Sequence, residues 1–286
     1  MANPKRRRLE NVPGDFYVDE TCIDCDQCRA IAPETFHDAG DKAAVYRQPQ
    51  DATARITALK ALVTCPTGSI GTLEHHDMAE AVAAYPERIE DEVHFCGFAA
   101  ESSFGASSYL ILRPEGNVLV DSPRFAGPLV RRIESLGGVR TLFLTHVDDV
   151  ADHARWAKHF GASRILHRAD RSAGLAGVER WLDGTAPVAL DPDLLAIPTP
   201  GHTAGHTVLL YRQRFLFSGD HLWWSPTRQR LVASRSVAWY SWPEQLRSVA
   251  KLVDHPCEWV LPGHGRRFHG PAAVITAQLR DIVARG

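Results

Sequence analysis

The chain has 286 residues, 44% hydrophobic and 23% charged, with a formal net charge of −2, which is an ordinary globular composition with room for two domains. Residues 1–90 carry −5 and residues 91–286 carry +3, so neither part has the dense basic field that nucleic acid requires. No apolar stretch approaches the roughly 18 residues of a membrane span. None follows Lys5-Arg6-Arg7-Arg8 as an export signal would, and that run reads as a solvated terminus.

The first element in chain order is a cysteine pattern. Cys22, Cys25 and Cys28 lie two residues apart, and Cys65-Pro66 closes the set after a further 36 residues. Three closely spaced thiolates wrap one corner of a cluster, and a distant fourth completes the ligand set of a [4Fe–4S] cube. Zinc sites more often pair two separated Cys-x2-Cys knuckles, which this chain lacks. Pro66 turns the chain away without adding a competing N–H donor. The run resembles the single-cluster bacterial-type ferredoxins over roughly residues 14–72. Cys96 and Cys257 are left over and read as small buried hydrophobes. A cluster without a disulfide framework points to a reducing compartment, so a cytoplasmic location is expected.

Residues 72–85 read as a short connecting helix, and the charged run 86–92 marks a break. The expected organisation is a domain over 1–72, a linker over 73–91 and a second domain over 92–286. After the break, apolar runs at 107–112 and 118–120 read as a hairpin around Pro114-Glu115-Gly116-Asn117. Helical spacing covers 129–136 and ends at Gly137-Gly138. A short strand at 141–144, a helix at 150–160 and a strand at 164–167 follow. Strands are then expected at 194–197, 207–211 and 215–217, with helices at 243–253 and 271–284. Such alternation places helices outside packed sheets, an α+β architecture.

Four loops at strand exits gather the polar chemistry: 145–153, 199–206, 217–221 and 261–265. Each sets a His or Asp beside glycine or proline, and imidazole with carboxylate is a ligand set for zinc, iron or manganese. In this order, Thr145-His146, Asp152-His153, Pro200-Gly201-His202-Thr203, Gly219-Asp220 and Pro262-Gly263-His264 resemble the metallo-β-lactamase superfamily, which includes glyoxalase II. The resemblance covers about residues 92–286 and implies an αββα sandwich behind the small ferredoxin-like domain. It implies one or two Zn or Fe ions held by His146, Asp152, His153, His202, Asp220 and His264, with Asp220 bridging and Asp148 as a further candidate ligand.

One motif departs from the family. The usual His-x-His-x-Asp-His appears here as His146-x-Asp148-x3-Asp152-His153. If 147–153 begins a helix, Asp148 and Asp152 share one face, and Asp149 and His153 another. Either Asp148 ligates as a harder oxygen donor, or the first site is weakened. In the second case His146, His202 and Asp220 still form a two-His-one-carboxylate triad suited to Fe(II).

Asp149 reads as a helix-start residue, and His206 and His221 as neighbours of ligands. Trp223, Trp224, Trp239, Tyr240 and Trp242 read either as core or as a wall over the site. Arg228, Arg230 and Arg235 read either as solvated surface or as anchors for an anionic substrate. No nucleophile elbow surrounds Ser107 and Ser108. The leading expectation is a hydrolase acting on a small-molecule ester or thioester. A metal-bound water of lowered pKa would attack, with Asp152 and Asp220 as the catalytic carboxylates. An iron oxidoreductase fed by the cluster is the alternative, resembling persulfide dioxygenases or flavodiiron proteins. A third reading is a redox or iron sensor with a degenerate metal site. The cluster also raises the expectation of a redox partner.

Overall fold

The computed structural model describes residues 2–286, and the chain forms two compact units. The first runs through residue 117 and includes 122–139 and 151–156; the second comprises 118–121, 140–150 and 157–286.

In the first unit, two short antiparallel ribbons pair Phe16–Val18 with Ile70–Thr72 and Phe36–Asp38 with Ala43–Val45. Buried Asn11 ties them together. Its Oδ1 accepts from Val18 N and Val45 N, while its Nδ2 donates to the carbonyls of Arg8 and Val18. A domain this small relies on such staples because its core is limited. Helix Ala52–Thr64 starts at Asp51, whose carboxylate accepts from Ala54 N at 2.8 Å, and ends at Cys65. The helix expected over 72–85 is shorter, Ala79–Ala83. Beyond it, Glu87–Glu90, Val93–Phe95 and Tyr109–Ile111 form an antiparallel ribbon.

In the second unit, Val118–Val120, Thr141–Phe143, Ser163–His167 and Arg180–Leu182 are parallel neighbours. A separate six-stranded sheet runs through Val188–Asp191, Leu194–Pro198, Thr207–Tyr211, Phe215–Gly219, Trp259–Pro262 and Phe268–His269. Within it Phe215–Gly219 and Trp259–Pro262 are the one parallel pair; the other neighbours are antiparallel. Ile197, Val208, Leu210, Leu216 and Val260 of this sheet pack with Val249, Leu252, Ile275 and Leu279 in one apolar cluster. The last four lie on helices Trp242–Leu252 and Ala272–Arg285. Burying one face of each helix against a sheet is what their apolar spacing requires.

The helix expected from residue 150 begins at His153 and ends at Phe160. Residues 147–148 form a bend and 149–152 a turn, and Ala151 has φ +30°. A left-handed residue cannot continue a helix. Asp148 and Asp149 therefore do not share helix faces with Asp152 and His153, contrary to the reading from spacing.

Candidate metal centre

The second unit brings four strand exits together. Thr145 follows Thr141–Phe143, His202 lies between Leu194–Pro198 and Thr207–Tyr211, Asp220 follows Phe215–Gly219, and His264 follows Trp259–Pro262. Backbone hydrogen bonds sew these loops to one another: Thr207 N donates to Thr145 O at 2.8 Å, and Gly263 N to Gly219 O at 2.9 Å. Gly219 has φ +48°, and a Cβ there would come within 2.6 Å of His206 Nε2 and 2.7 Å of Thr145 Oγ1. Only glycine lets the Asp220 turn close so tightly.

Nε2 of His146 lies 3.8 Å from Asp148 Oδ2 and 3.9 Å from Asp220 Oδ2. Nε2 of His202 lies 3.5 Å from Asp148 Oδ2 and 3.7 Å from Asp220 Oδ2. Nε2 of His264 lies 3.7 Å from Asp149 Oδ1 and 3.8 Å from the same Asp220 oxygen. Ligands about 2.1 Å from one tetrahedral ion lie about 3.4 Å from each other, so these spacings suit metal binding better than direct hydrogen bonding. His146 Nε2, Asp148 Oδ2, Asp149 Oδ2, His202 Nε2 and Asp220 Oδ1 are all buried without a hydrogen-bond partner. Five orphaned polar atoms in one place are costly unless a cation satisfies them. These residues fit one or two divalent ions.

Charge around the site leads to the same conclusion. Burial alone would push His264 down, yet Asp220 and Asp149 raise it to about 10. Burial likewise opposes, and Asp148 and Asp220 overcome, the rise at His202. His202 in turn holds Asp148 below the usual carboxylate range, against its partial burial. Asp121 moves the other way, pushed well above that range by burial and by Asp149. The carboxylates thus favour positive charge on the neighbouring His202 and His264 imidazoles, as they would favour a cation.

Three residues around the ligands had no motif to identify them. Buried Asp121 accepts from Thr145 N at 2.8 Å and from Thr145 Oγ1 at 3.0 Å. That hydroxyl lies 2.9 Å from His146 Nδ1, an arrangement that puts the imidazole proton on Nδ1 and leaves Nε2 free to ligate. Buried Asp170 accepts from Val147 N, Thr203 Oγ1 and Gly205 N, and so holds the His146 and His202 loops together. Asp149, read from sequence as a helix start, is buried and belongs with His146 and Asp220.

Asp152, His153 and His264 fall outside the metal-competent groups found among the described residues, but of the three His264 lies within 3.8 Å of the Asp149 and Asp220 carboxylates. Asp152 Oδ2 accepts from Phe125 N at 2.8 Å, and Oδ1 lies 3.5 Å from Arg155. His153 is buried at the first turn of its helix. His206 Nε2 accepts from Asp220 N at 3.2 Å, and its Nδ1 lies 2.9 Å from Thr199 Oγ1, so this imidazole supports the Asp220 turn.

In the first unit, Cys22, Cys25, Cys28 and Cys65 line one cavity with Val18, Ile23, Ala43 and Ile70. Asp24 and Asp26 take left-handed backbone, φ 61° and 67°, which curls the intervening loop around it. Ser69 N donates to Cys65 Sγ at 3.3 Å. Burial, with the neighbouring thiols adding to it, pushes Cys25 up to about 12. Four thiols converging on one cavity, with burial disfavouring bare thiolates at Cys25 and Cys28, fit a cluster whose irons supply the balancing charge.

Comparison with known proteins agrees with this geometry. The family model for the metallo-beta-lactamase superfamily matches residues 103–264, and that for the 4Fe-4S single cluster domain of Ferredoxin I matches 18–72. No curated protein matches in sequence. Among solved structures, DIM-1 metallo-beta-lactamase exposed to ceftazidime is similar at TM-score 0.52 and 17% identity, over 70% of this chain and 95% of that one. VMB-1 at pH 5.5 is similar at 0.50 and 15%, over 70% and 96%. The B3 metallo-beta-lactamase BLEG-1 is similar at 0.50 and 17%, over 66% and 96%. At these identities the likeness shows the fold alone, that of the metallo-beta-lactamase part; the small domain ahead of it rests on the match over residues 18–72. With its family match spanning more than half its length, the chain belongs to the metallo-beta-lactamase superfamily and carries a single-cluster ferredoxin domain ahead of it.

Proposed function

We propose that the protein is a metal-dependent hydrolase of esters or thioesters, joined to a [4Fe–4S] module that exchanges electrons with a redox partner. The observation that carries the hydrolytic reading is the convergence of five buried, unpartnered ligand atoms at the strand exits. His146, Asp148 and His202 would hold one ion, and Asp149 and His264 a second, with Asp220 shared between them. Divalent ions bound there supply Lewis acidity and lower the pKa of water. The chain's own residues then do the positioning. Thr145 keeps His146 in the ligating tautomer, His206 fixes the Asp220 turn, and Asp170 holds two ligand loops in register. Partial exposure of Cys22, Cys25 and Cys65 supports electron exchange, and a cluster of this kind supports a reducing cytoplasm. Domain limits of 1–72 and 92–286, joined by 73–91, complete the proposal.

A second reading rests on Asp148, Asp149 and Asp220. Three oxygen donors make a harder set than histidine alone and favour iron, as an oxidoreductase fed by the cluster would need. Metal and labile-sulfide analysis of anaerobically purified protein separates the two, beside the same analysis of His146→Ala. Four irons with sulfide plus one or two zincs, the zinc falling in the variant, together with turnover of a simple thioester, support the hydrolase. Five or six irons without zinc support the oxidoreductase. Four irons and no other metal would overturn both in favour of a sensor.

A further inference from the structure

The aromatic stretch after Asp220 divides into residues that packing explains and residues that it does not. Trp224 stacks on Phe268 with ring centroids 4.3 Å apart. Trp223 lies so close over Gly265 that a Cβ there would meet its ring at 2.4 Å. Trp242 donates its indole N–H to Gly286 O at 3.0 Å. Trp239 and Tyr240 are different: they remain 66% and 58% exposed.

Their exposure is not that of a loose loop. Tyr240 N donates to His202 O at 3.0 Å and to Gly201 O at 3.2 Å, and Ser241 N donates to Gly201 O at 3.0 Å. His202 Nδ1 meets Val237 O at 2.5 Å. Gly201 is itself pressed against Gln245, where a Cβ would fall 2.1 Å from Oε1. The segment is therefore fastened to a ligand loop, and it holds the Trp239 ring against the His202 ring, centroids 4.4 Å apart and tilted 41°. The indole packs at a tilt against the His202 imidazole while much of the side chain is left to solvent. Leaving so large an apolar surface bare next to a reactive centre costs hydration free energy that burial in the core would have recovered. A ring held rigidly in this way binds flat partners at little entropic cost.

We propose that Trp239, flanked by Tyr240, is the platform on which this site seats a planar aromatic group of its substrate, next to the bond that reacts. That the group belongs to an ester or thioester rests on the hydrolase reading above; that an aromatic ring binds there does not.

Titration calorimetry on the full-length, metal-replete protein, comparing 2-naphthoate with acetate, tests the platform by binding alone. Both probes carry the same carboxylate, so the difference reports the ring. Wild type is expected to bind 2-naphthoate about tenfold or more tightly than acetate, from stacking and apolar burial. Trp239→Ala should abolish that preference and Trp239→Phe should keep most of it, with metal content unchanged in both. No preference in wild type, or its survival in Trp239→Ala, overturns the proposal. A dimer in wild type that Trp239→Ala dissolves would also overturn it, assigning the surface to a second copy of the chain. Naphthoate preference without thioester turnover would retain the platform and remove the hydrolase; turnover without preference would do the reverse.

Discussion

Asp149 Oδ1 lies 3.7 Å from Nε2 of His264, and that nitrogen lies 3.8 Å from the shared Asp220 oxygen. In the proposed arrangement this pairing would give a second ion a carboxylate from inside the first motif, three residues before the Asp152-His153 pair that its spacing suggested. Asp149→Ala is therefore expected to lower bound metal by one ion per chain where two bind. Asp152→Ala should leave the metal count unchanged. Its cost should be about 1 kcal/mol of stability, for the hydrogen bond to Phe125 N. Metal analysis with chemical denaturation of both variants reads the two effects separately. Full metal in Asp149→Ala with loss in Asp152→Ala would reverse the assignment.

Cluster seating should depend on a residue beyond the ferredoxin match. Gly105 has φ +81°, and a Cβ there would fall 2.6 Å from Cys25 Cβ and 2.9 Å from its Sγ. Gln27 Nε2 donates to Gly105 O at 2.8 Å, pinning the same point. Gly105→Ala should combine a left-handed strain with overpacking of about 1–3 kcal/mol. We expect iron and labile sulfide to fall sharply in this variant, while metal at the strand-exit site is retained. Wild-type iron and sulfide would refute the role.

The contrast between these two residues shows what sequence could reveal. The gathering of Cys22, Cys25, Cys28 and Cys65 at one cavity was legible because three cysteines recur within seven residues and Pro66 marks the fourth. His146, His202, Asp220 and His264 were legible because each sits beside a glycine, a proline or a threonine with a local structural reason. Asp149 was not, because the apolar spacing of 150–160 extends smoothly back over it. What ends the helix at His153 is the left-handed turn at Ala151, whose N–H donates to Ser103 Oγ, 48 residues earlier in the chain. Asp121 and Asp170 were hidden for a similar reason: their partners Thr145 and Gly205 lie 24 and 35 residues away. Local spacing reports which residues carry ligating groups, whereas long-range hydrogen bonds decide which of those groups come together.

Acid sensitivity of the second unit should trace in part to Glu179. Its hydrogen bond with Arg164, assisted by Arg164 N and opposed by partial burial, lowers it to about 2. A carboxylate with a depressed folded-state pKa adds stability above its unfolded value of about 4.3, and that contribution fades as pH falls toward 2. Glu179 is 46% exposed, so solvent screening holds the contribution to about 1 kcal/mol or less. Denaturant titrations at pH 7 and pH 3 should show Glu179→Gln less stable than wild type at pH 7, with the gap narrowing at pH 3. An equal gap at both values would exclude ionisation as the source.

Metal affinity should respond to Thr145 although its side chain is not a ligand. Its hydroxyl stands between Asp121 and His146 Nδ1, at 3.0 and 2.9 Å, inside a fully buried pocket. Thr145→Val keeps the bulk and removes the hydroxyl, so the His146 imidazole loses the partner that fixes its tautomer. Loss of such a supporting partner typically weakens metal binding about 10–100-fold. Leaving Asp121 and His146 under-bonded should also cost about 1–3 kcal/mol of fold stability. Thr145→Ser restores the hydroxyl and should recover most of the affinity, which a purely packing role for the methyl group would not allow. Competition with a metal-binding dye, run on wild type and both variants, gives the three affinities. Wild-type affinity in Thr145→Val, or equal weakening in Thr145→Ser, would show that the hydroxyl does not position His146.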